Sequence, residues 1–425
     1  MIDVGLIDPD LMRVLFNLQG PEYTRVGGGF EIDPYPVFHR LRESGPVHPS
    51  TPGELIGFHG EAHFEGLPFP DRPHFSAFDF ATCDAVVRDP ETYSSSPHPP
   101  GSDEWAREVF MIQMDAGRHR RYRALVQPSF VPKRAHWWID NWVAELVDAL
   151  ITRIQPNGRA DLNIELFASI PMLTICASFG VGVADALAIR STIVNAANSL
   201  DDTQAIATQA EFVRIVAPLV AARRTEPGDD LISVLVQAEL TDDEGTHRLT
   251  DEEVLGFAFL LLAAGSGTTW KQMGITMLAL LSHPRWLDRV RDEPSLLRNV
   301  IEESLRWMPT DPAFARFVTR DVVLGGVEMP AGSIIHVTFA AANRDPARWD
   351  RPDEFDPGRP SLPHLGFGGG PHVCLGMHVA RAEMTTAISA VLERLPNIRL
   401  DPDAAPPRIT GVYERGPTAV PVVWD

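Results

Sequence analysis

Leu365-Gly366-Phe367-Gly368-Gly369-Gly370-Pro371-His372-Val373-Cys374-Leu375-Gly376 is the stretch that orders the rest of the chain. It holds one of only three cysteines, and four glycines and a proline precede the thiol. Backbone of that composition forms a tight irregular loop at little steric cost. Residues 375–395 follow with apolar side chains at helical spacing, ending at Pro396. A lone thiol in a glycine-rich loop at a helix N-terminus has a chemical use. The helix dipole and free N–H groups favour thiolate over thiol. Such a thiolate can serve as the single protein ligand of an iron centre.

The whole chain narrows the classes. Its 425 residues are 44% hydrophobic, enough for a sizeable core. Cys83, Cys176 and Cys374 lie far apart, form no zinc or iron–sulfur spacing and suggest no disulfide framework, so a reducing compartment is expected. Residues 1–19 carry Asp3, Asp8, Asp10 and Arg13 and lack a signal pattern. The longest apolar run, 254–265, is shorter than the ~20 residues a bilayer span needs. The expectation is a cytoplasmic protein with no membrane contact. A net charge of −20 argues against nucleic acid as a partner.

Periodicity and punctuation place the elements. A short amphipathic helix is predicted over 37–43, a strand over 75–80 and a helix over 81–88. Residues 47–72, rich in Gly, Pro and His, read as a loop or loose hairpin. His59-x-Glu61-x-His63 inside it would share one face of a strand, but three residues are a weak metal motif and a solvated polar loop is preferred. His119 and Arg123 are spaced i, i+4 on one helix face, while Arg118, Arg120 and Arg121 form the densest basic cluster of the chain. Helices are expected at 135–154, 164–180, 183–200, 204–224 and 229–240. Thr250 and Glu253 form a capping box that opens a helix to about Ser282, apolar all round over 254–265 and therefore central. Within it, Gly265, Gly267, Thr268 and Thr269 weaken the helix by roughly 2–3 kcal/mol relative to alanines, and a hydroxyl can open it. Strands are expected at 313–321, 322–327 and 334–339, around a Gly325-Gly326 turn, and again over 409–424.

Phe367, Gly368, Gly370, His372, Cys374 and Gly376, with Ala380-Arg381 behind them, resemble the haem-binding loop of the cytochrome P450 superfamily. The resemblance runs from about Asp33 to Trp424 and is that of a soluble bacterial member. It implies a mainly α fold with small β-sheets and a long central helix over the haem. It also implies one domain over 1–425, with a loop insertion at about 48–72. The cofactor implied is haem b, with Cys374 on the metal and His119, Arg123, Arg316 and His372 on the propionates. Phe367, Gly368 and Gly376 would shape the proximal loop, and Ala264 and Gly265 would cross the distal face. Arg359 is the expected third member of a buried network with Glu303 and Arg306. The activity implied is insertion of one oxygen atom from O2 into a hydrophobic organic substrate, by hydroxylation or oxidative dealkylation. Electrons would come from a ferredoxin and its ferredoxin reductase, docked near Arg118, Arg120 and Arg121. Segments 94–114, 167–199, 257–269, 308–314 and 412–415 would line a mainly apolar pocket.

One departure matters. The family places an Asp or Glu before the first threonine of its Ala-Gly-x-(Asp/Glu)-Thr-Thr motif; Ala264, Gly265, Thr268 and Thr269 match, but Gly267 stands where the acid belongs. Thr268 can relay protons but cannot supply them alone. Ordered water in the space left by Gly267 is the favoured link, with Ser266 or a polar substrate group as alternatives. The departure keeps open a peroxide-using or non-monooxygenase haem–thiolate enzyme. A non-catalytic haem or ligand-binding protein is the third class.

Overall fold

The structure is a computed structural model and describes residues 4–20, 27–60, 71–96, 98, 110–198, 202–242 and 245–425. Near the N-terminus, β1 (Val47–Pro49) pairs antiparallel with β2 (His74–Ala77), Val47 opposite Ala77. The stretch read as a loose loop is thus partly ordered: β1 is followed by a helical turn, Pro52–Leu55, capped by the Thr51 hydroxyl. Glu61 and His63 lie outside the described residues, and no group of three metal-binding side chains occurs among those described. Next come α1 (Phe80–Arg88), capped by Asp79, β3 (Tyr93–Ser94) and α2 (Ala116–Val126). Helix α3 (Ser169–Ser178) is buried on almost every side, and α4 (Val183–Asn198) follows it.

The central helix is two rods meeting at one residue. α5 (Asp251–Gly267) opens with the capping box of Thr250 and Glu253, and Tyr122 of α2 donates its hydroxyl to the same Glu253 carboxylate. α6 (Thr269–Ser282) continues after Thr268, a bend whose φ of −100° and ψ of −44° stay in the right-handed helical region but whose φ departs from the helical mean. The interruption falls inside the segment whose glycines and threonines predict weakness. Gly265 has a packing reason: a Cβ there would stand 2.9 Å from Ile175 of α3, so the helices approach more closely than alanine allows. Together, Asp251–Ser282 are long and apolar enough to cross a membrane, unlike the run 254–265 alone, yet half of the most apolar window is buried inside the protein.

Three further elements complete the frame: α7 (Leu297–Trp307), the strands β4 (Phe314–Val318) and β5 (Ile334–Val337), and α8 (Met377–Arg394), which carries the helix expected after the cysteine. The five strands line up as β1-β2-β5-β4-β3; β5 runs parallel to β2 and antiparallel to β4. Gly325 and Gly326, both at positive φ, make the tight turn between Val322–Leu324 and Val327–Met329. Helix 229–240 is shorter than expected: Leu231–Gln237 is helical, Ala238 turns extended (ψ 135°), and Glu239–Asp242 pairs with Gly245–Arg248 as a hairpin.

A buried ion network ties these parts to the cysteine loop. Arg306 of α7 grips Glu303 with two bonds of 2.8 Å. Its remaining N–H groups donate to the carbonyls of Asn343, Pro352 and Glu354 at 2.9, 2.7 and 3.0 Å. Arg359 is the third member, donating to Glu303 Oε1 at 2.9 Å. The Asn343 side chain then accepts from the Leu365 N–H at 2.7 Å, at the start of the glycine loop. Removing one partner from a buried pair costs about 3–5 kcal/mol. Glu303→Gln is therefore expected to lower stability by that amount and to loosen the loop, read as a fall in the urea midpoint and faster proteolysis near residue 365. An unchanged midpoint would show that Glu303 is dispensable.

Candidate active site

The cysteine loop is shaped by close approaches that only glycine permits. Gly368 and Gly370 have φ of +70° and +64°. A Cβ on Gly370 would lie 1.9 Å from the Val87 carbonyl oxygen of α1, and one on Gly366 would lie 2.6 Å from the Leu305 carbonyl of α7. The Cys374 N–H donates to the Phe367 carbonyl at 2.9 Å, folding the loop back on itself. Cys374 opens onto a cavity of about 810 Å³, within the ~300–1,000 Å³ range of cofactor and ligand sites. Burial pushes the thiol up to about 11, against the Gly376 N–H, which lowers it. Desolvation thus works against the thiolate that the sequence suggests, and the Gly376 N–H works for it.

Cationic and N–H groups gather on the same cavity: His119 and Arg123 from α2, Arg316 from β4 and His372 from the loop. The two imidazoles stack, ring centres 3.9 Å apart. Burial drives His119 down to about 4 and His372 to about 2, helped by the nearby arginines, so both rings are neutral N–H donors. His372 Nε2 is buried without a hydrogen-bond partner. Arg316 is lowered to about 10 by burial, partly offset by Asp115. Two half-buried guanidiniums and an unsatisfied imidazole nitrogen are what two carboxylates would pair with. A porphyrin with two propionates therefore fits: a thiol for the metal, anion partners for the acid groups.

Ala263, Ala264, Gly265, Gly267, Thr268 and Thr269 form another wall, where α5 and α6 meet. Thr268 Oγ1 faces the cavity and makes one long bond, 3.5 Å, to the Ala264 carbonyl. Ser266 is buried and turns its hydroxyl to the Ala263 carbonyl, so it is directed away from a relay role. The structure thus gathers His119, Arg123, Ala264, Gly265, Thr268, Thr269, Arg316, Phe367, Gly368, His372, Cys374 and Gly376 around one cavity. The basic cluster divides: Arg120 and Arg121 are exposed, whereas Arg118 lies over the Tyr122 ring.

Sequence reasoning missed several polar groups on this cavity. Lys271 is wholly buried and pairs with Glu414; Asp311 and Glu414 both line the space, as does Arg190 of α4. Burial pushes Asp311 up to about 7, with Glu414 raising it further and Lys271 opposing. The segments 308–314 and 412–415 were expected on the wall, but as apolar surface. The one available signal was a lone Lys two residues after Thr269, in a run too apolar to leave it unpaired.

The sequence profile of the cytochrome P450 family matches residues 203–411. Among curated relatives, the cytochrome P450 monooxygenase PikC of Streptomyces venezuelae is 35% identical over 94% of this chain and 93% of its own length. The mycinamicin IV hydroxylase/epoxidase of Micromonospora griseorubida is 36% identical over 74% of this chain and 79% of the relative. Among solved structures, the myxobacterial cytochrome P450 CYP267B1 in complex with myristic acid superposes with a TM-score of 0.79 at 30% identity, covering 98% and 99% of the two chains.

Glu383 of α8 lines the same cavity and offers a pH test. Burial raises its carboxyl to about 8, only partly offset by the Thr174 hydroxyl. Between about 4.5 and 8 the folded state keeps a proton that the unfolded state has released, so stability falls as pH rises through that window. Glu383→Gln removes the loss and is expected to be more stable than the parent by about 2–4 kcal/mol at pH 8, with little difference at pH 4.5. Thermal unfolding at the two pH values checks this; parallel curves would contradict it.

Proposed function

Because this chain belongs to the cytochrome P450 family of bacterial monooxygenases, we propose that it uses haem b, held by Cys374, to insert one oxygen atom from O2 into a hydrophobic organic molecule. One observation carries this: the only cysteine open to the cavity faces a space that is also bordered by the Thr268 break and by the cluster of Arg123, Arg316, His119 and His372. When bound, haem activates dioxygen, with thiolate donation favouring O–O cleavage. The protein's own groups do the rest. Cys374 would hold the metal as its thiolate, with the Gly376 N–H supporting the sulfur's charge. Arg123 and Arg316 pair with the propionates, and the neutral imidazoles of His119 and His372 donate N–H bonds. Thr268 Oγ1 moves protons at the distal wall. Ile193, Val194, Phe259, Leu260 and Phe314 keep that wall apolar, which favours an apolar substrate and excludes bulk water.

The redox partners proposed are a ferredoxin and its reductase, and the setting is the cytoplasm, with the whole chain acting as one domain. Arg120 and Arg121, exposed on α2, would steer an acidic partner toward the cysteine side of the fold. A purely ligand-binding role fits less well, since Thr268 and the opened helix have no use there.

Cys374→Ser is expected to abolish the red-shifted Soret band of the reduced carbon monoxide complex, whereas Cys83→Ser and Cys176→Ser keep it; loss of the band in either of those would move the ligand elsewhere. The Arg123→Ala, Arg316→Ala double variant is expected to lose haem at least tenfold faster to apomyoglobin; equal rates would remove both from propionate binding. Charge reversal at Arg120 and Arg121 is expected to slow reduction by ferredoxin roughly tenfold at low salt, with the gap closing as salt rises. Salt-independent reduction would exclude an electrostatic dock at this patch.

A further inference from the structure

The acid absent from position 267 has a counterpart from another part of the chain. A Cβ built on Gly267 would lie 3.7 Å from Glu414 Oε1 and 3.9 Å from an Arg190 guanidinium nitrogen. A carboxylate on residue 267 would extend into the space that Glu414 already fills. Glu414 sits in the turn between two short paired strands, Ile409–Thr410 and Gly416–Pro417, and that turn is fixed from several sides. The Arg415 N–H donates to the Thr310 carbonyl at 2.7 Å, and the Thr310 hydroxyl donates back to the Arg415 carbonyl at 2.6 Å. The Thr310 N–H donates to Gln272 Oε1 of α6 at 3.0 Å. Lys271, one turn beyond Thr268 on the same helix, pairs with Glu414 Oε1. Gly267, Thr268, Asp311 and Glu414 all border one cavity.

We propose that Glu414, held in place by Lys271, is the carboxyl group that exchanges protons with Thr268 Oγ1, in the role that an acid at position 267 would otherwise fill. The inference rests on the monooxygenase activity proposed above. A threonine hydroxyl carries one proton and two acceptor lone pairs, so it passes a proton on only if another group returns one. Glu414, a carboxylate paired with Lys271 at rest, first takes a proton from water and then passes it to Thr268 Oγ1, directly or through one water, as the threonine's own proton leaves into the cavity. The Glu414 carboxylate is thereby restored to its pair with the Lys271 ammonium. One O–H bond forms for each that breaks, and no oxidant is needed. A second acid, Asp311, faces the same pair and is the internal control.

The test uses the haem-loaded protein, reduced and carrying carbon monoxide, with infrared difference spectra recorded on photolysis of the gas. A carboxylate stretching band that responds to photolysis is expected in the parent. It should vanish in Glu414→Gln, persist in Asp311→Asn, and lose its response in Thr268→Ala, through which it is coupled. The Gly267→Glu, Glu414→Ala double variant is expected to regain a responding band, since truncation at 414 frees the space that a carboxylate on residue 267 would enter. A purely structural Lys271–Glu414 pair would give neither the dependence on Thr268 nor the rescue. If Glu414→Gln fails to fold, the Lys271→Met, Glu414→Gln variant removes both charges together and must also lack the band. A band that survives loss of Glu414, or that disappears with Asp311 instead, overturns the proposal. Absence of a thiolate-type Soret band in the parent would instead sink the haem–thiolate assignment on which it rests.

Discussion

All five N–H groups of Arg306 are engaged: two on the Glu303 carboxylate and three on the backbone carbonyls of Asn343, Pro352 and Glu354. A guanidinium this buried, 2% exposed, stays charged only with such complete pairing. Because three of its partners are backbone atoms, the pairing dictates the path of the irregular chain after β5. That path sets the Asn343 side chain, which holds the start of the glycine loop. The cavity's metal-facing wall is thus positioned by an ion pair that never touches it. The same pair makes little net stability, since desolvating two charges offsets most of their attraction. Its contribution is to exclude other paths for the chain.

The legible parts of this fold were those governed by local rules. The capping box at Thr250, the turn at Gly325-Gly326 and the loop before Cys374 each require particular residue types at fixed spacing, and each stands where its residues predict. The Glu303–Arg306 spacing gave the pair, and the family resemblance supplied Arg359. Long-range meetings were not legible. Glu414 and Gly267 are 147 positions apart (414 minus 267), and no local period links a turn near the C-terminus to the middle of a helix. A glycine-rich nest favours thiolate, and the burial that opposes it at Cys374 is a property of the assembled fold. The helix over 229–240 failed at its end, where residues of mixed preference paired with a neighbouring strand instead of continuing.

Polar groups divide the cavity into regions. Near the histidine stack the donors are neutral imidazoles beside two arginines. Near Gly267 the charges come in opposed sets, Lys271 with Glu414, and Asp311 close by. Arg190 is steadied there by the Leu15 carbonyl at 3.3 Å and by the Phe16 ring, 4.4 Å from its guanidinium carbon. Between these regions the walls are apolar. An apolar molecule can fill that middle ground, while a molecule that disturbs the opposed charges must replace their pairing.

The walls of the cavity come from residues as far apart as Met111 and Glu414, and the Gly370 turn packs against the Val87 carbonyl, 283 positions earlier (370 minus 87). Synthesis proceeds from the N-terminus at about 5–20 residues per second. At that pace roughly 15–65 s separate the emergence of Val87 from that of Glu414. During its last part, while the 132 residues between Ser282 and Glu414 are added (414 minus 282), α5 and α6 exist without the turn that later pairs with Lys271. The walls of the cavity are therefore complete only once Glu414 has been added, and until then the charge of Lys271 lacks the partner that the folded protein gives it.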